Sequence, residues 1–125
     1  MTNPRPRVLV ADDHLGFLVA VQRLLEPSCD VVRTVQDGEA LLEATADLKP
    51  DIVVVDIHMP YVNGLSACRQ IKGATPEIKI IVLTGYSEPG TRERALNAGA
   101  SAFVLKHSMA DDLIPAIQNA LLDRS

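Results

Sequence analysis

Several residue types that would indicate other classes of protein are rare in this sequence. It has no Trp, two Tyr, two Phe and two Cys in 125 residues. Cys29 and Cys68 form no CxxC pair and are too few for a disulfide framework. We therefore expect two buried thiols in the reducing environment of the cytoplasm.

Long apolar runs and clusters of basic residues are missing as well. No segment approaches the roughly 18–20 apolar residues that a membrane span needs, so we expect no membrane association. Lys and Arg are scattered along a chain with a formal net charge of -4. Because nucleic-acid surfaces normally need clustered basic residues, this distribution argues against direct nucleic-acid binding by this chain.

The length and the even composition indicate one domain. A chain of 125 residues can bury a core without staples, and no repeat or linker interrupts it. Residues 1–6 form a short polar tail without the apolar segment of a signal peptide. Residues 7–123 are predicted to be the folded domain.

Five short apolar runs alternate with five helical patterns in that domain. Predicted strands cover residues 7–11, 30–35, 52–56, 79–84 and 102–106. Predicted helices run from Leu15 to before Pro27, from an N-cap at Asp37 to Leu48, from Gly64 to Gly73, from Ser87 or Glu88 to residues 97–99, and from a capping pattern at residues 108–111 to Leu122. Pro115 either kinks the last helix or falls in its first turn. The alternation predicts a single doubly wound α/β fold, a five-stranded parallel sheet with helices on both faces, and leaves the strand order open.

Polar side chains end four of the five predicted strands: Asp12 and Asp13, Asp56, Thr84, and Lys106. The carboxyl ends of parallel strands lie at one edge of a sheet, where ligands bind, so these groups can converge. A like-charged pair at ~4 Å costs about 4 kcal/mol at an effective dielectric constant near 20, so the carboxylates need compensating positive charge. Lys106 is one source, and a hard divalent cation, Mg²⁺ (or Mn²⁺), is the other. A carboxylate, a lysine, a hydroxyl and a magnesium site are the parts needed for phosphoryl transfer onto Asp.

Further motifs accompany these strand ends. They are Asp56-x-x-Met59-Pro60-x-x-x-Gly64, Thr84-Gly85, Ala98-Gly99-Ala100 and Phe103-x-x-Lys106. Each is weak alone, but in this order and spacing they are specific, and from Val8 to about Leu122 the chain resembles the receiver domain of two-component response regulators. The resemblance implies a flavodoxin-like sheet of order 2-1-3-4-5. The Asp12-Asp13-His14 segment, with a lysine that no proline follows, is similar to receivers of LuxR/NarL-type regulators.

The resemblance implies roles for the polar strand ends. Asp56 would be the phosphoacceptor, and Lys106 and Thr84 would contact the phosphoryl oxygens. Asp13 would bind Mg²⁺ directly, Asp12 would bind it through water, and Asp56 would also be a ligand.

The resemblance also implies roles for neighbouring residues. The backbone carbonyl of His58 would be a further metal ligand. Thr84 and Phe103 would form a switch, in which the hydroxyl moves toward the phosphate and the ring turns inward. The His58 side chain, Tyr86 and the small Gly85 would flank the site, where the first two modulate water access.

A receiver of this kind takes a phosphoryl group from a sensor histidine kinase or a phosphotransfer protein. It then acts on an output domain, a partner protein or a second copy of itself, most often to control transcription through a DNA-binding domain, which these residues do not contain. It catalyses its own phosphorylation and slowly loses the group to water, so we expect a phosphoacceptor rather than an enzyme. We expect either a stand-alone receiver acting by protein–protein interaction or, as the favoured case, a fragment of a longer regulator cut after Ser125.

Three other interpretations fit the motifs less well. A haloacid dehalogenase-type phosphatase needs a second Asp two residues after the nucleophile, where this chain has His58. A flavodoxin-like FMN protein needs a Ser/Thr/Gly-rich phosphate loop after the first strand, where this chain has Asp12-Asp13. A degenerate receiver that only binds proteins would not need the intact acceptor, acids and lysine. His107 stands where many receivers have a proline with a cis bond, and we expect a trans bond because a non-proline cis bond costs about 2.5–4 kcal/mol.

Overall fold

Strands and helices alternate over the residues that the computed structural model describes, 5–85 and 88–122. The elements are β1 (Arg7–Ala11), α1 (Leu15–Leu25), β2 (Asp30–Val35), α2 (Gly38–Leu48), β3 (Ile52–Val55), α3 (Gly64–Ala74), β4 (Lys79–Thr84), α4 (Thr91–Asn97), β5 (Ala102–Leu105) and α5 (Met109–Leu122). A 3₁₀ turn, Lys106–Ser108, separates β5 from α5. The predicted alternation of strands and helices is confirmed.

The five strands form one parallel sheet in the order β2-β1-β3-β4-β5. Ala11, the last residue of β1, pairs with Val35 on one side and with Val55 on the other. Three neighbouring strands therefore end at the same level, which brings the residues that follow them to one edge. The doubly wound fold and the flavodoxin-like strand order are both confirmed.

The central strands are apolar throughout because helices cover both faces of the sheet. Leu9 and Val53 belong to a core cluster with the inner faces of α2, α3 and α4. Val10 and Val54, the next residues along the same strands, belong to a second cluster with α1 and α5. Successive side chains of a strand point to opposite faces, so a run without polar residues is what a doubly covered sheet requires.

Among the described residues, three helices begin with a side-chain cap. Asp37, Asn63 and His14 each accept a hydrogen bond from the backbone N–H three residues further on. Such a cap satisfies one of the donors that the first turn of a helix leaves without a partner. The predicted cap at Asp37 is confirmed.

Two predicted helix boundaries are wrong. α3 continues through Gly73 to Ala74 and is capped by Thr75, whose N–H donates to the Ile71 carbonyl, because the glycine can stay helical there. α4 does not begin at Glu88 but at Thr91, since Glu88 and Thr91 first close a turn of two hydrogen bonds. Ser87, the other predicted start, lies outside the described residues.

The ends of two strands also differ from the prediction: β3 ends at Val55 rather than at Asp56, and β5 ends at Leu105. Lys106 is not the last residue of the strand but the first of the 3₁₀ turn, which runs directly into α5. The Ser108 hydroxyl, predicted to cap that helix, lies 3.1 Å from His107 Nδ1. Pro115 lies inside α5, which decides the alternative that the sequence left open. None of the described peptide bonds is cis, so the bond between Lys106 and His107 is trans as expected.

Within residues 5–85 and 88–122, no helix combines the length and the apolar character that crossing a membrane would require.

Candidate functional site

Two acidic residues follow adjacent strands at the carboxyl edge of the sheet. Asp12 comes directly after β1 and Asp56 directly after β3. The Asp12 N–H donates to the Val35 carbonyl and the Asp56 N–H to the Ala11 carbonyl, both at 3.0 Å. These bonds continue the sheet past its strand ends and fix the two backbones side by side. Both residues are buried, with 3% of Asp12 and 6% of Asp56 exposed.

Lys106 connects the two carboxylates. Its Nζ lies 2.7 Å from Asp12 Oδ2 and 3.0 Å from Asp56 Oδ2. Burial opposes the charged ammonium, but the hydrogen bonds to Asp12 and Asp56 and their charges outweigh it and raise the pKa of Lys106. Burial also raises the pKa of Asp12, against the lowering effect of its hydrogen bonds from Lys106 and from the His14 backbone. The ammonium therefore offsets part of the repulsion between two buried acids.

The second oxygen of each carboxylate is held by the chain itself. Asp12 Oδ1 accepts from the His14 N–H at 2.9 Å, and Asp56 Oδ1 accepts from the His58 N–H at 3.1 Å. In both cases the donor lies two residues further along, so both acids form the same local turn. Both oxygens of each buried carboxylate thus have a defined partner.

Asp13 completes an acidic cluster that can hold a cation. Asp12, Asp13 and Asp56 each offer one carboxylate oxygen, and these oxygens lie within 4.8 Å of one another. Asp13 is exposed, so the cluster is open to solvent on that side. Carboxylate oxygens with access to water suit Mg²⁺, which binds hard oxygen ligands and keeps several waters. The residues present therefore fit the predicted divalent cation.

The residues predicted to flank the site lie around this cluster as far as the structure describes them. His58 is exposed and Gly85 is exposed. A Cβ on Gly85 would meet the Lys106 Cδ at 3.5 Å, an ordinary contact, so an alanine would still fit beside the lysine. Tyr86 lies outside the described residues. The role of the His58 carbonyl as a metal ligand stays a prediction.

The two predicted switch residues belong to neighbouring strands. Thr84 ends β4 and is fully buried, with 0% exposed. Phe103 of β5 is partly buried, packs against the core cluster on the α2 and α3 side, and pairs with Val82. Their movement on phosphorylation stays a prediction.

An open groove leads to the acidic cluster. It has a volume of about 490 Å³ and lies between Asp13 and the segment 57–65 that follows β3. Its wall includes His58 and Met59. The groove therefore reaches the acidic cluster at the exposed Asp13.

Two residues contribute to the site in ways that the sequence did not predict. Phe17, assigned to the apolar stripe of α1, also has its ring under the Lys106 ammonium, with Nζ 4.2 Å from the ring centroid. Gly64, predicted as the start of the third helix, packs so closely under Asp56 that a Cβ would lie 2.3 Å from the Asp56 carbonyl oxygen. Helical periodicity cannot show the first contact, which joins α1 to the end of β5. The contact of Gly64 with Asp56 could have been inferred from the spacing of these two residues in the sequence motif.

Comparisons with known proteins agree with this geometry. Residues 8–118 match the response regulator receiver domain family. Among curated proteins, the transcriptional regulatory protein DegU of Brevibacillus brevis is 36% identical over 114 residues, which cover 90% of this chain and 48% of DegU. The chain spans about half the length of the curated relatives it matches.

Solved structures give the same result. The receiver domain of the putative response regulator NarL from Mycobacterium tuberculosis superposes with a TM-score of 0.91 at 29% identity, over 98% of this chain and 100% of that one. A LuxR-family two-component response regulator from Aurantimonas sp. gives a TM-score of 0.89 at 30% identity, over 95% of this chain and 86% of that one. With the family match extending over most of its length, this chain belongs to the receiver domains of response regulators, and its relatives are of the LuxR/NarL type.

Proposed function

We propose that Asp56 accepts a phosphoryl group from the phosphohistidine of a sensor histidine kinase or a phosphotransfer protein, in a reaction that depends on Mg²⁺ or Mn²⁺. The observation that carries this proposal is the position of Asp56 at the open edge of the sheet, 3.0 Å from the Lys106 ammonium and within the acidic cluster. Free cysteines and the family relationship agree with a cytoplasmic pathway.

The proposed step is a displacement at phosphorus. A carboxylate oxygen of Asp56 forms the new P–O bond while the P–N bond to the donor imidazole breaks and its electron pair returns to the ring nitrogen. A cation held by Asp12, Asp13, Asp56 and the His58 carbonyl supplies positive charge to the phosphoryl oxygens when bound. Lys106 then donates to a phosphoryl oxygen from the side of β5. Water later attacks the phosphorus atom, the P–O bond to Asp56 breaks, inorganic phosphate leaves and the carboxylate is regenerated. The chain thus acts as a phosphoacceptor that catalyses its own phosphorylation and slow dephosphorylation.

The proposed output begins at Thr84. Its hydroxyl moves toward a phosphoryl oxygen, and Phe103 turns inward, which repacks the surface formed by α4, β5 and α5. A local charge thereby biases a packing equilibrium, and it shifts that equilibrium only by its differential interaction with the two states. Because DegU is a transcriptional regulator, we propose that the output controls transcription through a DNA-binding domain outside these 125 residues. The repacked surface would contact that output domain, a partner protein or a second copy of the chain.

Intact-mass spectrometry tests the chemistry directly. The wild type, incubated with acetyl phosphate and Mg²⁺, is expected to gain the mass of one phosphoryl group, and both Asp56→Ala and an EDTA-treated wild type are expected to gain none. Asp111→Asn, which removes an exposed carboxylate on α5, is the matched control and should be phosphorylated like the wild type. Equal phosphorylation of the wild type and Asp56→Ala, or of neither, would overturn the proposal.

The flanking residues are tested by the lifetime of the phosphoryl group. Substituting His58 and Tyr86 together should change the rate of dephosphorylation and leave Asp56 able to accept the group, because these side chains only modulate the approach of water. A time course of the phosphorylated mass after removal of the donor measures that rate. Loss of phosphorylation itself would contradict this role.

A further inference from the structure

Lys106 has a third contact besides the two carboxylates. Its Nζ lies over the ring of Phe17, 4.2 Å from the ring centroid, while its hydrogen-bonding partners are Asp12 and Asp56. This distance is within the range of a cation–π interaction. The ammonium is therefore held by two acids and by an aromatic ring.

The ring itself is anchored. Phe17 packs against the core cluster shared by α1, α5 and the sheet. Its backbone N–H donates to the carbonyl of His14 at 3.0 Å and to the His14 Nδ1 at 3.2 Å. Because His14 in turn donates its N–H to Asp12, the first turn of α1 ties the ring to the same acid that Lys106 contacts.

The three contacts of Lys106 respond differently to phosphorylation. A cation bound to Asp12 and Asp56 would compete with the ammonium for their oxygens, and phosphorylation would turn one Asp56 oxygen into the bridging oxygen of an acyl phosphate while adding phosphoryl oxygens as new acceptors. The two hydrogen bonds are then weakened or redirected. The ring contact needs no particular N–H direction, so it can persist while the ammonium turns to a new acceptor.

We propose that Phe17 is a positioning residue for phosphoryl transfer, which keeps the Lys106 ammonium at the site when the metal and the phosphoryl group take over its carboxylate partners. A lysine has a long flexible stem and would otherwise gain conformational freedom by leaving the site. The inference rests on the proposed function, and it assigns to an aromatic residue of α1 a part in a site built from strand ends.

Aromatic rescue separates this role from simple packing. Phe17→Leu keeps an apolar side chain in the core but removes the π face, and Phe17→Tyr keeps the face. We expect the initial rate of phosphorylation by acetyl phosphate with Mg²⁺ to fall roughly 2- to 30-fold in Phe17→Leu, the range that the strength of a cation–π contact allows. Phe17→Tyr should remain within about twofold of the wild type. Equal rates in the wild type and Phe17→Leu, or equally slow rates in both variants, would overturn the proposal.

A double-mutant cycle shows whether the effect passes through the lysine. In a Lys106→Met background the change Phe17→Leu should have no further effect on the rate, because there is no ammonium to hold. If Phe17→Leu slows phosphorylation in the Lys106→Met background as much as it does in the wild type, Phe17 acts through packing alone. A wild type that takes no phosphoryl group would instead overturn the proposed function itself, which distinguishes that failure from a failure of the inference about Phe17.

Nuclear magnetic resonance of the wild-type protein gives an answer that does not depend on variants folding or on turnover. The side-chain protons of Lys106 next to the ring should show an upfield ring-current shift in the metal-free protein. The shift should persist after addition of Mg²⁺ and beryllofluoride. A return to random-coil values on that addition would show that the lysine leaves the ring, and would overturn the proposal.

Discussion

Removal of the Lys106 ammonium should expose the repulsion that it offsets. Lys106→Met keeps the apolar stem and leaves Asp12 and Asp56 buried without their shared cation. Two carboxylate oxygens within 4.8 Å of each other repel by at least about 3.5 kcal/mol at an effective dielectric constant near 20. Since 19% of the Lys106 side chain is exposed and water can enter, we expect the free energy of unfolding in EDTA to fall by about 2–3 kcal/mol.

Mg²⁺ should reverse much of this loss. The variant site carries one positive charge less than the wild type, so a divalent cation gains more from binding it. At a concentration of about 100 times the dissociation constant a ligand stabilises the folded state by about 2.7 kcal/mol, and tighter binding by the variant adds to that gain. We therefore expect Mg²⁺ to stabilise Lys106→Met more than the wild type.

Urea unfolding with EDTA and with Mg²⁺ measures both effects. Arg92→Met is the matched control, because it removes an exposed positive charge on α4 that is not an ion-pair partner of Asp12 or Asp56 in the part of the chain that the structure describes. It should change the free energy of unfolding little and leave the Mg²⁺ effect at the wild-type value. If Lys106→Met is as stable as the wild type in EDTA, or if Mg²⁺ stabilises both equally, the ammonium does not offset the repulsion of the acids and the reasoning is wrong.

Two further predictions concern residues under and beside the site. Gly64→Ala places a Cβ 2.3 Å from the Asp56 carbonyl oxygen, so we expect the free energy of unfolding to fall by about 1–3 kcal/mol and phosphorylation to slow. In the same helix, the Cβ of Gly73→Ala meets nothing within 4 Å, so the free energy of unfolding should rise by about 1 kcal/mol. Urea titrations of the two variants check this contrast, and equal effects would contradict it. Burial raises the pKa of Cys68 from 9.0 to about 12, so only the unfolded chain ionises this thiol between those values. The wild type should therefore lose stability relative to Cys68→Ala as the pH rises above 9, by about 1.4 kcal/mol at pH 10; a constant difference between pH 8 and pH 10 would refute it.

The sequence predicted most of the fold because a few strong local signals repeat along the chain. Uninterrupted apolar runs indicated buried parallel strands, and the polar residues at their ends indicated one functional edge, where Asp12, Asp56 and Lys106 do meet. The start of α4 was not predictable in the same way, since Pro89 fits a first helical turn as well as the turn that precedes Thr91. The order of the strands in the sheet could be predicted only from the resemblance to a family, because hydrophobic periodicity identifies each strand but not its neighbours.

The finer arrangement of the site depends on contacts between residues far apart in the chain. Helical spacing places Phe17 on the inner face of α1, but the same spacing would serve a residue that touches only the core. The contact joins Phe17 of α1 to Lys106, the first residue of the 3₁₀ turn after β5, and these two residues are far apart in the sequence. Sequence patterns describe single elements and cannot show that contact.

The backbone donors that hold Asp12 and Asp56 affect how the site selects its ligand. Each carboxylate is already immobilised through its Oδ1, so a cation that enters meets two side chains whose freedom was lost during folding. Immobilising a flexible side chain on association costs roughly 0.5–1.5 kcal/mol. Among the three acids, only the exposed Asp13 would still have to be immobilised when a cation binds. Binding should thus begin at two carboxylates that are already fixed and end with the ordering of the exposed Asp13 side chain, so that the site discriminates ions by size and hydration.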